Sequence, residues 1–222
     1  MAITPELQRA LRQTAGELAD VAAAECLPLF RSSKLYTANK ATQGFDPVTQ
    51  ADRAAEEAMR AHLARHRPDD AILGEEFPPR EGTSGLTWVL DPIDGTRAFL
   101  SGAPTWGILV AVDAGEGPVL GLVDQPHTRE RFVGGFGSAT LRYGGETRPI
   151  RVRPCANLGD AILFSTFPEI GTKIERSAFE AVRDQVRLTR YGMDCYAYAL
   201  VAMGQVDLVI EAGLNAYDIQ GP

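Results

Sequence analysis

Apolar and polar positions follow a helical period in the first part of the chain. Leu7, Leu11 and Leu18 would lie on one face of a helix, and Thr4 before them can cap its first turn. Small apolar residues recur with the same period over residues 50–65. The pattern predicts one amphipathic helix within about the first thirty residues and a second over 50–65.

Short apolar runs replace the helical pattern from residue 71 onward. The runs at 71–73 and 87–90 are each followed by acidic residues and indicate buried strands. The next part of the chain is rich in Val, Leu, Gly and aromatic residues, with frequent turn signals, which indicates an antiparallel meander. The strands predicted for this meander are 107–113, 119–124, 131–134, 139–143 and 148–152.

The rhythm changes again after Pro154, where strands and helices alternate. The elements predicted there are strands at 161–165, 187–189 and 206–211 and helices at 173–183 and 195–203. The chain as a whole is therefore predicted to be α+β. Pro154 is the best candidate boundary between an N-terminal α+β half, residues 1–153, and a C-terminal α/β half, residues 154–222.

The composition narrows the possible classes of function. Hydrophobic residues make up 45% of the 222 residues, which is enough for a sizeable core. Asp and Glu number 29 against 22 Lys and Arg, and the net charge of -7 disfavours binding to nucleic acid or to an anionic membrane. The 3 cysteines lie far apart and the N-terminus has no secretory pattern, so we expect a cytoplasmic protein.

The densest chemical signal is the string DPIDGT at 91–96, where an apolar run ends. Pro92 cannot prolong a paired strand and Gly95 permits an unusual backbone angle, so the chain must turn here. The turn would bring Asp91 and Asp94 onto one side, and hard cations such as Mg²⁺ bind through oxygen ligands of this kind. An isolated Asp-x-x-Asp is most often only a turn before a helix cap, but the full string is far more specific.

Two further features fit the same chemistry. The carbonyl of Ile93 would be exposed between the two acids, and a helix that begins near Thr96 would offer free amide groups to a phosphate. Glu75 and Glu76 also follow a short apolar run. Alone they would be read as surface residues, but beside the first motif Glu75 supplies the third carboxylate that a two-metal site requires.

Four motifs occur in the order seen in inositol monophosphatases and their relatives. They are DPVTQAD at 46–52, GEE at 74–76, DPIDGT at 91–96 and AYDI at 216–219. The chain resembles this family from about residue 7 to its last residue. The resemblance implies a layered α/β/α/β/α sandwich of the inositol monophosphatase or sugar phosphatase type. It also implies a Mg²⁺-dependent phosphomonoesterase and a possible homodimer.

The resemblance also implies roles for individual residues. Thr96 and Glu75 would orient and deprotonate the attacking water, with Asp94 in the same catalytic group, and the Gly95 and Thr96 amides would bind phosphate oxygens. An outer polar shell is implied at Lys40, Asp46 and Thr49. The implied metal ligands are Glu75, Asp91, the Ile93 carbonyl, Asp94 and Asp218.

Residues outside these motifs bear on the substrate. Inositol phosphatases usually carry Gly-Thr-Ala where this chain has Gly192, Met193 and Asp194. The strings GLVDQP at 121–126 and GMDCYAY at 192–198 are similar to the histidinol-phosphatase branch of the family. The substrate-binding residues implied by the resemblance are Gly95, Thr96, Gly192, Asp194 and Glu211.

An acid at position 194 favours a positively charged substrate group over a neutral polyol. Asp194 and Glu211 can pair with the ammonium of L-histidinol phosphate, so we expect hydrolysis of this phosphomonoester, a reaction of histidine biosynthesis. The alternative role for Asp194 is to cap the helix that follows it, and the two roles are compatible. The enzyme alternatives are an inositol-1-monophosphatase and a broad sugar-phosphate phosphatase.

The last motif lies close to the end of the sequence, where relatives normally continue. We therefore expect Asp218 to lie on a fraying tail and the C-terminal half to be truncated. This expectation leaves a non-catalytic alternative, in which the chain is an inactive remnant that still binds metal.

Overall fold

The computed structural model describes residues 3–39 and 47–222. Lys40 and Asp46, two residues of the predicted outer shell, lie outside the described residues. The described helices are α1 (Pro5–Cys26), α2 (Gln50–His66), α3 (Thr96–Ser101), α4 (Lys173–Arg183), α5 (Tyr196–Ala202) and α6 (Ala216–Gln220), with a 3-10 turn at Leu158–Asp160. The described strands are β1 (Thr37–Asn39), β2 (Pro47–Thr49), β3 (Ala71–Gly74), β4 (Thr87–Asp94), β5 (Gly107–Asp113), β6 (Pro118–Gln125), β7 (Glu130–Gly135), β8 (Ser138–Tyr143), β9 (Glu146–Pro149), β10 (Ile162–Ser165), β11 (Leu188–Tyr191) and β12 (Leu208–Val209).

Strands β3 to β9 form the main sheet in sequence order. Only the first pair, β3 and β4, is parallel, and α3 and short turns connect the antiparallel strands that follow. The alternation of side chains along β5 places Ile108 and Val110 on the face toward the helices and Leu109 on the opposite face. The sheet is therefore buried on both faces, which explains the nearly continuous apolar sequence of its central strands.

Helices α1 and α2 cover one face of the main sheet. Small residues on their buried sides allow the two helices to pack closely on each other and on the sheet. Thr4 accepts a hydrogen bond from the Leu7 amide and caps α1, as the sequence predicts. The fully buried small residues are Ala15, Ala19 and Ala22 of α1 and Ala51 and Ala55 of α2.

A second sheet, with strand order β11–β10–β12, is parallel throughout. Successive side chains of β10 contact different layers: Leu163 packs with Phe179 of α4, whereas Phe164 packs with Ala197 of α5. Helix α4 therefore covers one face of this sheet and α5 covers the other.

Helix α5 also packs on the free face of the main sheet. Its Ala199 belongs to a buried cluster with Leu109, Val123, Phe132 and Leu141 of four adjacent strands. The short helix α6 packs against β4 and β5. The order of layers is thus α1 and α2, main sheet, α5 and α6, second sheet, α4, and the predicted α/β/α/β/α sandwich is confirmed.

The boundaries that differ most from the predictions are those of β4, α1, β9 and β12. Strand β4 continues beyond the predicted residue 90 to Asp94, because Asp91 and Asp94 still pair with β5 on either side of Pro92. Helix α1 ends at Cys26, earlier than predicted. Strand β9 begins at Glu146 because a two-residue Gly144-Gly145 turn with positive φ angles joins it to β8 and fixes the register. Strand β12 spans only Leu208–Val209 of the predicted 206–211. No helix of the described residues is long and apolar enough to cross a membrane.

Candidate active site

Three carboxylates meet where the main sheet contacts α6. Asp91 and Asp94 lie at the end of β4, where the pairing with β5 shifts register because Pro92 interrupts the ladder. Asp218 is the third residue of α6. One oxygen of each carboxylate lies within 4.8 Å of the other two. Residues distant in the sequence therefore provide one compact acidic group.

Each of these carboxylates accepts a hydrogen bond from a backbone amide. The donors are the amides of Ile93 to Asp91 (3.1 Å), Cys195 to Asp94 (2.7 Å) and Asn215 to Asp218 (2.6 Å). An amide carries no full positive charge, so these bonds orient the carboxylates without neutralising them.

Burial and mutual repulsion act on the titration of this group. Burial, followed by the negative charge of Glu75, raises the pKa of Asp91 well above its ordinary value. Burial and then the charge of Asp194 raise the pKa of Asp94 to about 7. Burial also raises the pKa of Asp218. The raised pKa values reflect the cost of placing several negative charges together in a buried group.

Glu75 lies beside the group, directly after β3. A buried side chain of α2, Glu56, accepts a hydrogen bond of 2.7 Å from the Glu76 amide and thereby holds the turn that carries Glu75. Glu56 occupies the space beside Gly74, where an added Cβ would come within 2.0 Å of its carboxylate. The glycine before the two acids is therefore required by close packing.

The acidic group opens into a cavity of about 350 Å³ between the two sheets. Predicted residues from both halves of the chain line it, together with apolar and aromatic side chains. The lining includes Glu75, Asp94, Gly95, Thr96, Arg97, Thr166, Phe167, Asp194, Cys195, Tyr198, Glu211, Leu214, Tyr217 and Asp218. Asp91 and Ile93 are buried at the end of β4, behind this wall.

A residue that the sequence reasoning did not select, Asp52, contacts the site. The Thr96 hydroxyl lies 3.4 Å from Oδ1 of Asp52 and 3.3 Å from the Ile93 carbonyl oxygen. Asp52 also forms the capping box of α2 with Thr49, so Thr49 contacts a residue of the site, while its place in an outer shell stays a prediction. Burial raises the pKa of Asp52 to about 6. The sequence signal for Asp52 was its position in the DPVTQAD motif. The contact between Asp52 and Thr96 could not be inferred from the sequence.

Two more carboxylates, those of Asp194 and Glu211, line the same cavity. Asp194 accepts a hydrogen bond of 2.8 Å from the Thr105 hydroxyl, and Glu211 accepts bonds from the amide (2.6 Å) and hydroxyl (2.8 Å) of Thr166. Burial raises the pKa of both acids. The N-cap of α5 is Cys195 and makes no side-chain capping bond, so helix capping does not explain Asp194.

The structure does not bring Gly192 to the cavity. This glycine is exposed after β11, and its amide donates to the carbonyl oxygens of Ser165 and Thr166 at 3.1 Å each. Its backbone amide is therefore already engaged within the protein. The positive φ of 80° at Gly192 lets the chain turn from β11 toward Asp194.

The segment that carries Asp218 is packed, so the expectation of a fraying tail is wrong. The side chains of Asn215 and Asp218 close the first turn of α6 as a capping box. The Gly221 backbone lies against Leu109, and an added Cβ at Gly121 would meet the Gly221 carbonyl oxygen at 2.3 Å. These contacts fix α6 on the main sheet.

The donor set fits a divalent cation. Asp91, Asp94 and Asp218 supply hard oxygen ligands from rigid positions, and Asp91 is only 1% exposed. Buried carboxylates this close together repel one another, and a bound cation would remove that repulsion. Glu75 on the adjacent turn can extend the site. The chemistry of these residues therefore suits Mg²⁺ better than a soft metal, since neither His nor Cys belongs to the group.

Comparisons with known proteins agree with this geometry. The Arabidopsis thaliana chloroplastic bifunctional phosphatase IMPL2 is 45% identical over 174 residues, which cover 78% of this chain and 49% of that protein. A histidinol-phosphatase from Chlorobaculum parvum is 31% identical over 217 residues, 97% of this chain and 80% of that one. This chain thus spans about half the length of the plant relative and four-fifths of the bacterial one.

Solved structures and a family model lead to the same group. An inositol monophosphatase structure from Zymomonas mobilis superposes with a TM-score of 0.81 at 40% identity, covering 98% of this chain and 81% of that chain. The model of the inositol monophosphatase family matches residues 7–222. The chain belongs to the inositol monophosphatase family.

Proposed function

We propose that the chain hydrolyses L-histidinol phosphate to L-histidinol and phosphate with the help of Mg²⁺. The observation that carries this proposal is the placement of two acidic groups in one cavity. One group suits divalent cations, and the other, Asp194 with Glu211, suits a cationic substrate. The similarity to a protein named histidinol-phosphatase over nearly the whole chain supports the same choice.

The residues proposed to hold Mg²⁺ are Glu75, Asp91, the Ile93 carbonyl, Asp94 and Asp218. Bound Mg²⁺ would neutralise phosphate charge and lower the pKa of a coordinated water. Of these ligands, Asp94 and Asp218 stand on the cavity wall, whereas Asp91 and Ile93 approach from behind it. The phosphate would therefore bind at this end of the cavity.

Thr96 and Asp52 are proposed to orient the attacking water. Ionised Asp52 accepts the Thr96 hydroxyl hydrogen, which leaves the lone pairs of the Thr96 oxygen to accept a hydrogen bond from water. Glu75 lines the same part of the cavity and would accept a proton from that water. Gly95 and Thr96 lie at the start of α3, where amide groups have no partner within the helix and can donate to phosphate oxygens.

The cation would be recognised close to the phosphate. Asp194 packs directly on Gly95, where an added Cβ would lie 2.8 Å from the Asp194 side chain. A substrate held by both residues must carry its positive group near its phosphate ester. L-histidinol phosphate meets this requirement, because its ammonium is on the carbon next to the one that bears the phosphate oxygen.

The rest of the cavity wall suits a flat ring. Phe167, Tyr198 and Leu214 present aromatic and aliphatic surface, and Arg97 lies over the Phe167 ring at 5.0 Å. An imidazole group can pack on such a surface. A polyol such as inositol carries no positive group to pair with Asp194 and Glu211, although similarity to a protein named inositol monophosphatase keeps this substrate in the test.

The test compares phosphate release from L-histidinol phosphate and from inositol 1-phosphate, with Mg²⁺ and with EDTA. We expect Mg²⁺-dependent turnover that favours L-histidinol phosphate, and no turnover by Asp94→Asn. Equal turnover of the two substrates, or a preference for inositol 1-phosphate, would support the phosphatase activity but reject L-histidinol phosphate as the preferred substrate. The absence of turnover of either substrate by the folded chain with Mg²⁺ would favour the inactive-remnant alternative.

A further inference from the structure

Thr105 lies between α3 and β5 and engages one oxygen of the Asp194 carboxylate. Its hydroxyl donates a hydrogen bond of 2.8 Å to Oδ2 of Asp194. Thr105 therefore engages Oδ2 and not Oδ1 of this carboxylate. Thr105 does not line the cavity, whereas Asp194 does, so the hydrogen bond to this carboxylate is the route by which Thr105 would act on a ligand.

The backbone around Asp194 is unusual and tightly packed. Asp194 has a φ of 45°, in the left-handed region that is uncommon for a residue with a side chain. Its Cβ and Cγ lie against Gly95, in the turn proposed to bind phosphate. The left-handed backbone and the absence of a side chain at Gly95 set where Asp194 stands, and the bond from Thr105 sets how its carboxylate is rotated.

Other charges compete for the same carboxylate. The positive charge of Arg97, another residue of the cavity wall, acts on Asp194, and the negative charge of Asp194 acts on Glu211. Without a fixed donor, the carboxylate would be drawn toward Arg97 and away from Glu211. A cation held by two acids requires both acids to point toward it.

We propose that Thr105 is a positioning residue that sets the selectivity for phosphomonoesters with an ammonium group next to the phosphate ester. The inference rests on the proposed function and deepens it. Thr105 holds the Asp194 carboxylate beside Gly95, so that the cation site and the phosphate site are a fixed, short distance apart. Selectivity thus depends on a hydrogen bond outside the cavity wall.

The test uses Thr105→Val, which keeps the branched shape but cannot donate a hydrogen bond, and Thr105→Ser, which restores the donor. We expect Thr105→Val to raise the KM for L-histidinol phosphate about tenfold and to change kcat less than about twofold, as for loss of one hydrogen bond to a charged group. The preference for L-histidinol phosphate over inositol 1-phosphate should fall by the same factor. Thr105→Ser should restore most of it.

A double variant tests whether Thr105 acts through Asp194. In an Asp194→Asn background, Thr105→Val should cause no further loss of preference, and thermal unfolding should show that every variant is folded. If the wild type prefers L-histidinol phosphate and folded Thr105→Val keeps that preference, the positioning role is wrong while the proposed function stands. If the wild type has no preference, the proposed substrate is wrong, and with it the role of Thr105 in selecting it.

Discussion

The pair formed by Thr96 and Asp52 leads to a prediction about pH. The ionised Asp52 carboxylate is a stronger acceptor for the Thr96 hydroxyl hydrogen than the protonated acid, and burial raises the pKa of Asp52 to about 6. Activity governed by this pair should fall as the pH decreases through about 6, because protonation removes the charge that strengthens this hydrogen bond and lets Asp52 donate instead of accept. The measurement is kcat/KM against pH at saturating Mg²⁺.

Asp52→Asn provides the control for this assignment. The amide keeps the shape of the side chain but does not ionise, so we expect activity to fall about 10²-fold and the limb near pH 6 to disappear. If the fall in activity near pH 6 persists unchanged in the folded variant, another group is responsible for it.

The charge of Asp194 leads to a second prediction. Asp194→Asn should raise the KM for L-histidinol phosphate by about 10- to 100-fold, because a hydrogen-bonded charge pair is worth about 1.5–3 kcal/mol. It should not raise the KM for inositol 1-phosphate. Asp184→Asn, at an exposed pair with Arg183, is the matched control and should leave both values unchanged. Equal losses on both substrates would mean that Asp194 has only a structural role.

At the scale of residues, the site contacts that could be predicted were those between residues close together in the sequence. Asp91 and Asp94 share one turn, so their joint role follows from the local pattern. Asp218 comes from a distant segment and was placed beside them only through the resemblance. The contact between Thr105 and Asp194 joins residues 89 positions apart. No local pattern contains such a contact, because it depends on how two sheets pack.

The turn between β3 and the acidic pair leads to a prediction about stability. Glu56 is fully buried, accepts 2.7 Å hydrogen bonds from the Arg60 side chain and the Glu76 amide, and fills the space beside Gly74. Glu56→Ala should therefore lower the free energy of unfolding by about 3 kcal/mol, since it removes the carboxylate that pairs with the Arg60 charge and opens a cavity. Urea unfolding monitors this change.

Glu56→Gln is the companion variant. It retains an acceptor for the Glu76 amide and most of the volume, so it should lose less stability than Glu56→Ala. Both variants should weaken Mg²⁺ binding in proportion to how far they release the turn that carries Glu75. A folded Glu56→Ala protein with unchanged stability would show that this turn does not depend on α2.

At the scale of elements, strong hydrophobic periodicity and turn residues were sufficient to predict the bounds of several helices and strands. The pattern predicted α2, β5 and α4 to within a residue of their observed bounds. It failed at β9, where the turn Gly144-Gly145 rather than the apolar run fixes the start of pairing. It also failed at β12, because a short parallel strand is defined by its partner β10 and not by its own sequence.

At the scale of the molecule, the cavity belongs to neither predicted half alone. Asp94 and Thr96 come from the predicted N-terminal half, whereas Asp194, Glu211 and Asp218 come from the predicted C-terminal half. The sequence indicated two halves by the change of rhythm at Pro154. That change does not predict which faces of the two sheets meet, since both are covered by apolar residues on either side.

This arrangement leads to a final prediction about metal removal. The carboxylate oxygens of Asp91, Asp94 and Asp218, within 4.8 Å of one another, repel when no cation is bound. Mg²⁺ at about 100 times its Kd should therefore stabilise the fold by about 2.7 kcal/mol and raise Tm by roughly 5–10 °C relative to EDTA. Asp94→Asn should stabilise the metal-free protein. In EDTA at pH 8 the Tm of this variant should exceed that of the wild type, because one of the mutually repelling negative charges is removed. The same variant should lose most of the Mg²⁺-dependent shift. If Asp94→Asn keeps the full shift, the cation binds elsewhere and the acidic group is not the metal site.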